Sequence, residues 1–318
     1  MSVKKRIKPI IFGIKGLKLN DKEKKLFIKS NPLGFILFER NCKNINQLKK
    51  LINELKKITD HNHTMIMIDQ EGGRVSRLKE PNWKTFPSSQ YFGKKAEHNL
   101  DLAKKLVFNN AKKISKDLKK LGINMNCAPV LDVLYDFTNK IIGDRSFSFD
   151  PNIVSELSKE YCNGLKINNV LPIIKHIPGH GASKFDTHLV TSKVNLSLSE
   201  LEKKDFIPFK KLNKEKAAMI SHIIYTKIDS KAACESKKIV NKIIRKKIGF
   251  KGLLFSDDIN MKALKGSLKN KVRSILSSGC EVILHCNGNI DQMNKIQSVI
   301  PFMKSNVLKK ISRINYLK

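Results

Sequence analysis

The sequence predicts a closed barrel of eight parallel strands, each followed by a helix, and three observations carry that expectation. Short apolar, β-rich runs recur eight times, segments with apolar residues at three- and four-residue spacing lie between them, and charged residues close one run after another. An open doubly wound sheet is the other way to assemble such units. Eight repeats favour closure, which puts a site at the C-terminal ends of the strands.

The runs fall at 9–14, 34–38, 65–68, 123–130, 172–176, 218–222, 253–256 and 282–285. Between them, 46–58, 100–121, 153–167, 198–212 and 239–248 place lysines among regularly spaced apolar residues, the pattern of helices with one buried face. No Pro/Gly/Ser-rich linker, low-complexity tract or internal repeat interrupts the alternation, so residues 1–318 read as a single catalytic barrel domain. The longest insertion, 70–99, follows the third strand and carries Gly72, Gly73, Arg74, Arg77 and Trp83. A long loop at the C-terminal end of a strand favours function.

The charged ends are the chemistry-bearing part of the pattern. The third run closes at Asp69, the fourth at Asp132, the fifth at Lys175 and His176, the sixth at His222, the seventh at Asp257 and Asp258, and the eighth at His285. Such groups are costly unless they face a solvated pocket or pair with one another. Asp258 reads first as the cap of a following helix and Asp132 equally as a cap or a site residue, while His222 and His285 read as satisfied structural histidines.

Residues 175–188 read K-H-I-P-G-H-G-A-S-K-F-D-T-H, with Pro178, Gly179 and Gly181 preventing a regular helix. Three histidines, an aspartate and two lysines at a strand end make an active-site loop. His176, His180, His188 and Asp186 also have the chemistry of metal ligands. However, an H-x-x-x-H pair binds best from one helical face, and Pro178-Gly179 lies between the first two, so no metal is expected.

Sixty-two Lys and Arg against 28 Asp and Glu give a formal charge of +34. The excess is mostly lysine spread over nearly every predicted helix, without a recognition motif, so no specific nucleic-acid partner is implied beyond weak association with polyanions at low salt. The six cysteines contain no C-x-x-C pair and read as reduced, mostly buried thiols. No signal-peptide core and no membrane-spanning run is present, so a cytoplasmic protein without a membrane partner is expected.

Five segments together resemble glycoside hydrolase family 3, in its bacterial β-N-acetylglucosaminidase branch. They are Ile68-Asp69-Gln70-Glu71-Gly72-Gly73-Arg74-Val75-Ser76-Arg77, Ala128-Pro129-Val130-Leu131-Asp132, Ile142-Gly143-Asp144-Arg145-Ser146-Phe147, the run 175–188, and Phe255-Ser256-Asp257-Asp258-Ile259-Asn260-Met261. They stand in family order at family-like spacing and span most of the chain. The resemblance implies that Asp257 is a nucleophile, that Asp186 and His188 form an acid/base dyad, and that Asp69, Arg77, Arg145, Lys175 and His176 hold a terminal sugar. The chain departs at Ile177, where an aromatic residue is usual, and in Ala182-Ser183-Lys184-Phe185, which changes the packing of the loop without removing a reactive group.

Retaining glycoside cleavage needs a carboxylate to bond the sugar and a group to protonate the leaving oxygen. A histidine gives and takes a proton near neutrality, and Asp186 can orient His188 as the third member of a triad does. Its glycines make the loop a candidate for closure over bound sugar. The implied activity is exo-acting release of terminal N-acetylglucosamine from peptidoglycan fragments, or muropeptides, by a monomer without a cofactor. Two alternatives remain: a phosphorylase on the same scaffold, because a histidine repels incoming phosphate less than a carboxylate would, and a polyanion-binding protein on a degenerate barrel. Ion pairing of Arg77, Arg145 and Lys175 with Asp69, Asp132 and Asp144 is the alternative to sugar contact.

Overall fold

In a computed structural model describing residues 6–187 and 190–314, the apolar runs lie side by side in parallel. The strands are β1 (Lys8–Gly13), β2 (Pro32–Leu37), β3 (Met65–Ile68), β4 (Met125–Asn126), β5 (Leu171–Pro172), β6 (Ile174–Ile177), β7 (Lys193–Val194), β8 (Ala217–Ile220), β9 (Ile224–Tyr225), β10 (Leu253–Asp258) and β11 (Val282–His285). The main sheet runs β5-β4-β3-β2-β1-β11-β10-β8-β6, and β7 pairs with β9 outside it. β5 and β6 are the two halves of the fifth run. The first pairs with β4 and the second with β8, so the sheet returns on itself as an eight-stranded barrel. The run expected at 123–130 keeps regular pairing only at Met125–Asn126, and a bridge from Val130 to Lys175 extends the seam. Pro129 between them has no N–H for a ladder.

The helices are α1 (Asp21–Ser30), α2 (Ile45–Ile58), α3 (Ser89–His98), α4 (Leu100–Leu121), α5 (Pro151–Lys166), α6 (Leu198–Lys203), α7 (Phe206–Lys211), α8 (Leu268–Ser278), α9 (Ile290–Gln297) and α10 (Ser305–Ser312), with a π-type helix at Ile239–Lys247. In α4, Ala103, Val107, Ala111, Ile114, Leu118 and Leu121 form the buried face. The Asn99 side chain caps its start by accepting from Leu102 N–H, and Gly122 ends it at φ 89°. Losing such an N-cap costs about 1 kcal/mol. Two expectations need correction. The insertion 70–99 is not all loop, since α3 occupies its last third. The helix expected at 198–212 breaks into α6 and α7, because Lys204 leaves helical geometry at φ −135° and Pro208 has no N–H to return to its carbonyl.

Strand alternation sorts the core into two layers. One lies between sheet and helices, with Ile10, Phe12, Phe35, Ile66, Ile174 and Ile220 facing outward. The other fills the barrel with Ile11, Met65, Met67, Met125, Leu171, Ile173, Met219, Leu253, Phe255 and Leu284, closed from the N-terminal end by Val307 and Ile311 of α10. The barrel is a packed plug with its open side at the C-terminal strand ends. Among the described residues, no helix is long and apolar enough to cross a membrane.

Candidate active site

Three inward-facing rows end in charge. Met65 and Met67 continue to Asp69, Leu171 and Ile173 to Lys175, and Leu253 and Phe255 to Asp257. The apolar plug therefore carries a polar layer at its C-terminal mouth. Within it, Lys175 Nζ lies 3.0 Å from Asp69 Oδ1 and 2.6 Å from Glu71 Oε1. Arg145 grips Glu71 with two 2.8 Å hydrogen bonds, and Arg77 Nη2 reaches Asp69 Oδ2 at 3.2 Å. Three cations thus surround two carboxylates, with Lys175 only 2% exposed and Glu71 4%.

Charge pairing outweighs desolvation here. Burial alone would raise the carboxyl of Asp69, but Lys175 and Arg77 hold it below the usual range. Glu71 is likewise pushed up by burial, yet Arg145 and Lys175 bring it down to about 2. Lys175 would lose its proton more readily from burial, but Asp69 and Glu71 hold it well above its ordinary value. All of these groups stay charged at neutral pH and are fixed before any ligand arrives, the condition for donors to act without reorganisation. Asp257 shares their field. The neighbouring Cys127 thiol is pushed up by burial first and then by Asp69 and Asp257, against Lys175.

Asp132 anchors the loop that follows β6. Its Oδ1 accepts from the backbone N–H of His176 at 3.1 Å and of His180 at 2.8 Å, and its Oδ2 lies 2.7 Å from His176 Nδ1. Burial raises this carboxyl, but His176 more than offsets it, so Asp132 is an ionised acceptor and His176 Nδ1 carries the proton. His180 packs edge-on to His176, with ring centroids 5.4 Å apart, and its Nε2 lies 3.2 Å from Thr187 Oγ1. Burial, followed by the charge of His176, lowers it to about 4, so it is neutral at pH 7. Thr187 is tied in turn through its carbonyl to Ala263 N–H, beyond β10.

At the end of β10, Asp257 Oδ1 accepts the Asp258 N–H at 2.7 Å. Asp258 caps no helix. Its Oδ1 accepts from Asn260 and from the Cys286 N–H, which stitches β10 to the end of β11. His222 Nε2 lies 3.0 Å from the Asp258 carbonyl oxygen, and His285 Nε2 lies 3.0 Å from Gln292 Oε1, matching the structural roles expected of both histidines.

The structure brings together Asp69, Arg77, Arg145, Lys175 and, through Asp132, His176. The ion-pair alternative is correct for Arg77 and Lys175 on Asp69, but Arg145 pairs with Glu71, and Asp144 pairs with Arg74. Asp186 stands on the loop one residue before Thr187, and His188 lies outside the described residues. Glu71 is the residue that sequence reasoning passed over: it sits in a quoted motif, yet only the fold shows it bridging Lys175 and Arg145. Among the described residues no group of three His, Cys, Asp or Glu is placed to hold a metal ion.

An eight-stranded barrel with carboxylates and fixed cations over its C-terminal mouth has the architecture of a barrel enzyme with its site at the strand ends. Residues 4–316 match the glycosyl hydrolase family 3 N terminal domain. A beta-hexosaminidase of Neisseria meningitidis serogroup C / serotype 2a is 35% identical over 285 residues, which cover 88% of this chain and 78% of that protein. One from Nitrosomonas eutropha is 33% identical, with 88% and 80% covered. NagZ of Neisseria gonorrhoeae in complex with N-trifluoroacetyl-D-glucosamine superposes with a TM-score of 0.90 at 31% identity, over 98% of this chain and 90% of that one. The chain belongs to glycosyl hydrolase family 3.

Proposed function

We propose that the chain is a single catalytic barrel domain acting as an exo-acting, retaining β-N-acetylglucosaminidase on N-acetylglucosamine-bearing peptidoglycan fragments in the cytoplasm. The observation that carries this reading is the fixed cluster Arg77, Asp69, Lys175, Glu71 and Arg145 in the same field as Asp257. It offers charged donors and acceptors to the hydroxyls and acetamido group of one terminal sugar, with His176 presented from the rim by Asp132. Asp257, at the end of an inward-facing row, attacks the anomeric carbon and forms a glycosyl-aspartate ester as the bond to the leaving oxygen breaks. His188, oriented by Asp186, gives that oxygen its proton, then takes one from the water that cleaves the ester. Similarity to proteins named beta-hexosaminidase and to an N-acylglucosamine-bound NagZ supports the choice of sugar.

The test is release of N-acetylglucosamine from an aryl β-N-acetylglucosaminide, beside an aryl β-glucoside, added phosphate, a chelator and Asp257→Ala. The expected result is phosphate-independent, chelator-resistant release that disappears in the variant. Absence of release by the wild type, or undiminished release by Asp257→Ala, would overturn the reading.

A further inference from the structure

Asp205 sits where the expected long helix breaks, between α6 and α7, and only 1% of it is exposed. Its Oδ2 accepts the Tyr135 hydroxyl at 2.6 Å, while Oδ1 is buried without a hydrogen-bond partner. A carboxyl held in this way is costly and has no part in the mechanism above. What it touches is the loop. A Cβ on Gly179 would stand 2.9 Å from Asp205 Cβ and 3.2 Å from its Oδ1, and Gly179 has φ +140°, so glycine alone lets the loop lie on the carboxyl. From the other side, the Tyr225 hydroxyl donates to the Gly179 carbonyl.

A chain of hydrogen bonds leads from Asp205 toward Asp186. The Tyr135 N–H donates to Thr138 Oγ1 at 2.7 Å, and the Thr138 hydroxyl donates to the Gly181 carbonyl at 2.6 Å. Asn139 then donates from its backbone to the Ser183 carbonyl and from its side chain to the Lys184 carbonyl, each at 3.0 Å. Residues 135–139 therefore hold three carbonyls just ahead of Asp186, and Asp205 holds that segment through Tyr135.

We propose that Asp205 is the positioning residue of the loop that carries Asp186: through Tyr135 and Thr138 it sets where Asp186 stands, without touching the sugar. This rests on the reading of Asp186 and His188 given above. The charged and titratable groups facing Asp205 are Tyr135, Asp132, Lys204 and Tyr225. Burial raises its carboxyl to about 7, with Asp132 adding to the rise and Tyr135 and Lys204 opposing it. Its bond to Tyr135 becomes charge-assisted, and so stronger, on the alkaline side of neutrality.

The experiment compares wild type, Asp205→Asn and Tyr135→Phe on an aryl β-N-acetylglucosaminide and on an N-acetylglucosamine disaccharide from pH 5 to 9. Amide exchange over residues 179–187 and the thermal midpoint are followed alongside. Expected for both variants are a fall in kcat of about tenfold with KM within about twofold, a larger loss on the disaccharide, and faster exchange in the loop. In the wild type, ionisation of Asp205 is expected to raise kcat through neutrality, a rise that flattens in Asp205→Asn, while the midpoint at pH 8 holds or increases because a buried charge is gone. Unchanged kcat and exchange in both variants, or a midpoint that falls with kcat in Asp205→Asn, would reduce Asp205 to packing and overturn the proposal. A wild type inactive on both sugars defeats the proposed function instead, while loop exchange still reports on positioning.

Discussion

Replacing Glu71 by Gln keeps the shape of the cluster and removes the charge that two buried cations share. The carboxyl is held at about 2 against an ordinary 4.5, which at 1.36 kcal/mol per pH unit corresponds to about 3 kcal/mol of stability at neutral pH. Breaking a buried ion pair from one side costs about 3–5 kcal/mol, because the remaining charge is left uncompensated. Here Arg145 loses its carboxylate and Lys175 keeps only Asp69. For 318 residues, an unfolding entropy of about 2.1 cal/mol/K per residue turns 3 kcal/mol into a midpoint lowered by about 5 °C. Weaker aim of two charged donors should also lower kcat/KM by about 10- to 100-fold. Calorimetry at pH 7 and steady-state kinetics on the aryl substrate read both effects. Because a depressed carboxyl contributes fully above its unfolded value and fades as pH falls toward about 2, the variant should also lose part of the wild-type sensitivity to acid. A midpoint within about 1 °C of wild type, with kcat/KM within about twofold, would mean that Glu71 does not hold the cluster.

Two further outcomes are expected. His188→Ala should lose far less rate on substrates with activated leaving groups, which need little protonation, than on the disaccharide, and equal losses on both would remove His188 as the acid. Between pH 5 and 6.5 His180, lowered to about 4 by burial, binds fewer protons folded than unfolded, so its contribution to stability grows with pH, as do those of His222 and His285. Asp205 does the reverse: raised to about 7, its contribution is full below the unfolded carboxylate value and fades as pH rises through 7. Asp205→Asn should therefore steepen the rise of stability with pH by up to about 1.4 kcal/mol per unit, measured as denaturation midpoints, and parallel profiles for variant and wild type would contradict it.

All eight strands were legible because both sides of a barrel strand are apolar, so β3, β10 and β11 stand out as continuous runs. The active end was legible for the same reason. When inward-facing positions must be apolar, a charged residue at the next inward position, as at Asp69, Lys175 and Asp257, can only stand at the mouth. The 198–212 segment misled because its apolar spacing is helical on both sides of the break, and nothing local marks Asp205 as turning inward rather than lying on a solvated face.

Glu71 and Asp205 belong together in this respect. Each is a carboxylate whose role depends on partners far along the chain: Glu71 meets Arg145 74 residues away, and Asp205 meets Tyr135 70 residues away. Local pattern reports which groups reach the mouth of the barrel, because strand period and strand end are short-range properties. It does not report which buried group holds another in place, because that follows from how loops after β3, β4 and β6 meet above the plug. The two cases differ in sign. Cations on two sides hold Glu71 charged, whereas Asp205 has one neutral donor and an unpartnered oxygen, so the same residue chemistry serves as fixed charge in the cluster and as a group titrating near neutrality beneath the loop. On the proposed function the two serve different ends: contacts to a neutral sugar call for charges that do not change with pH, while the loop carrying Asp186 rests on a support whose strength does.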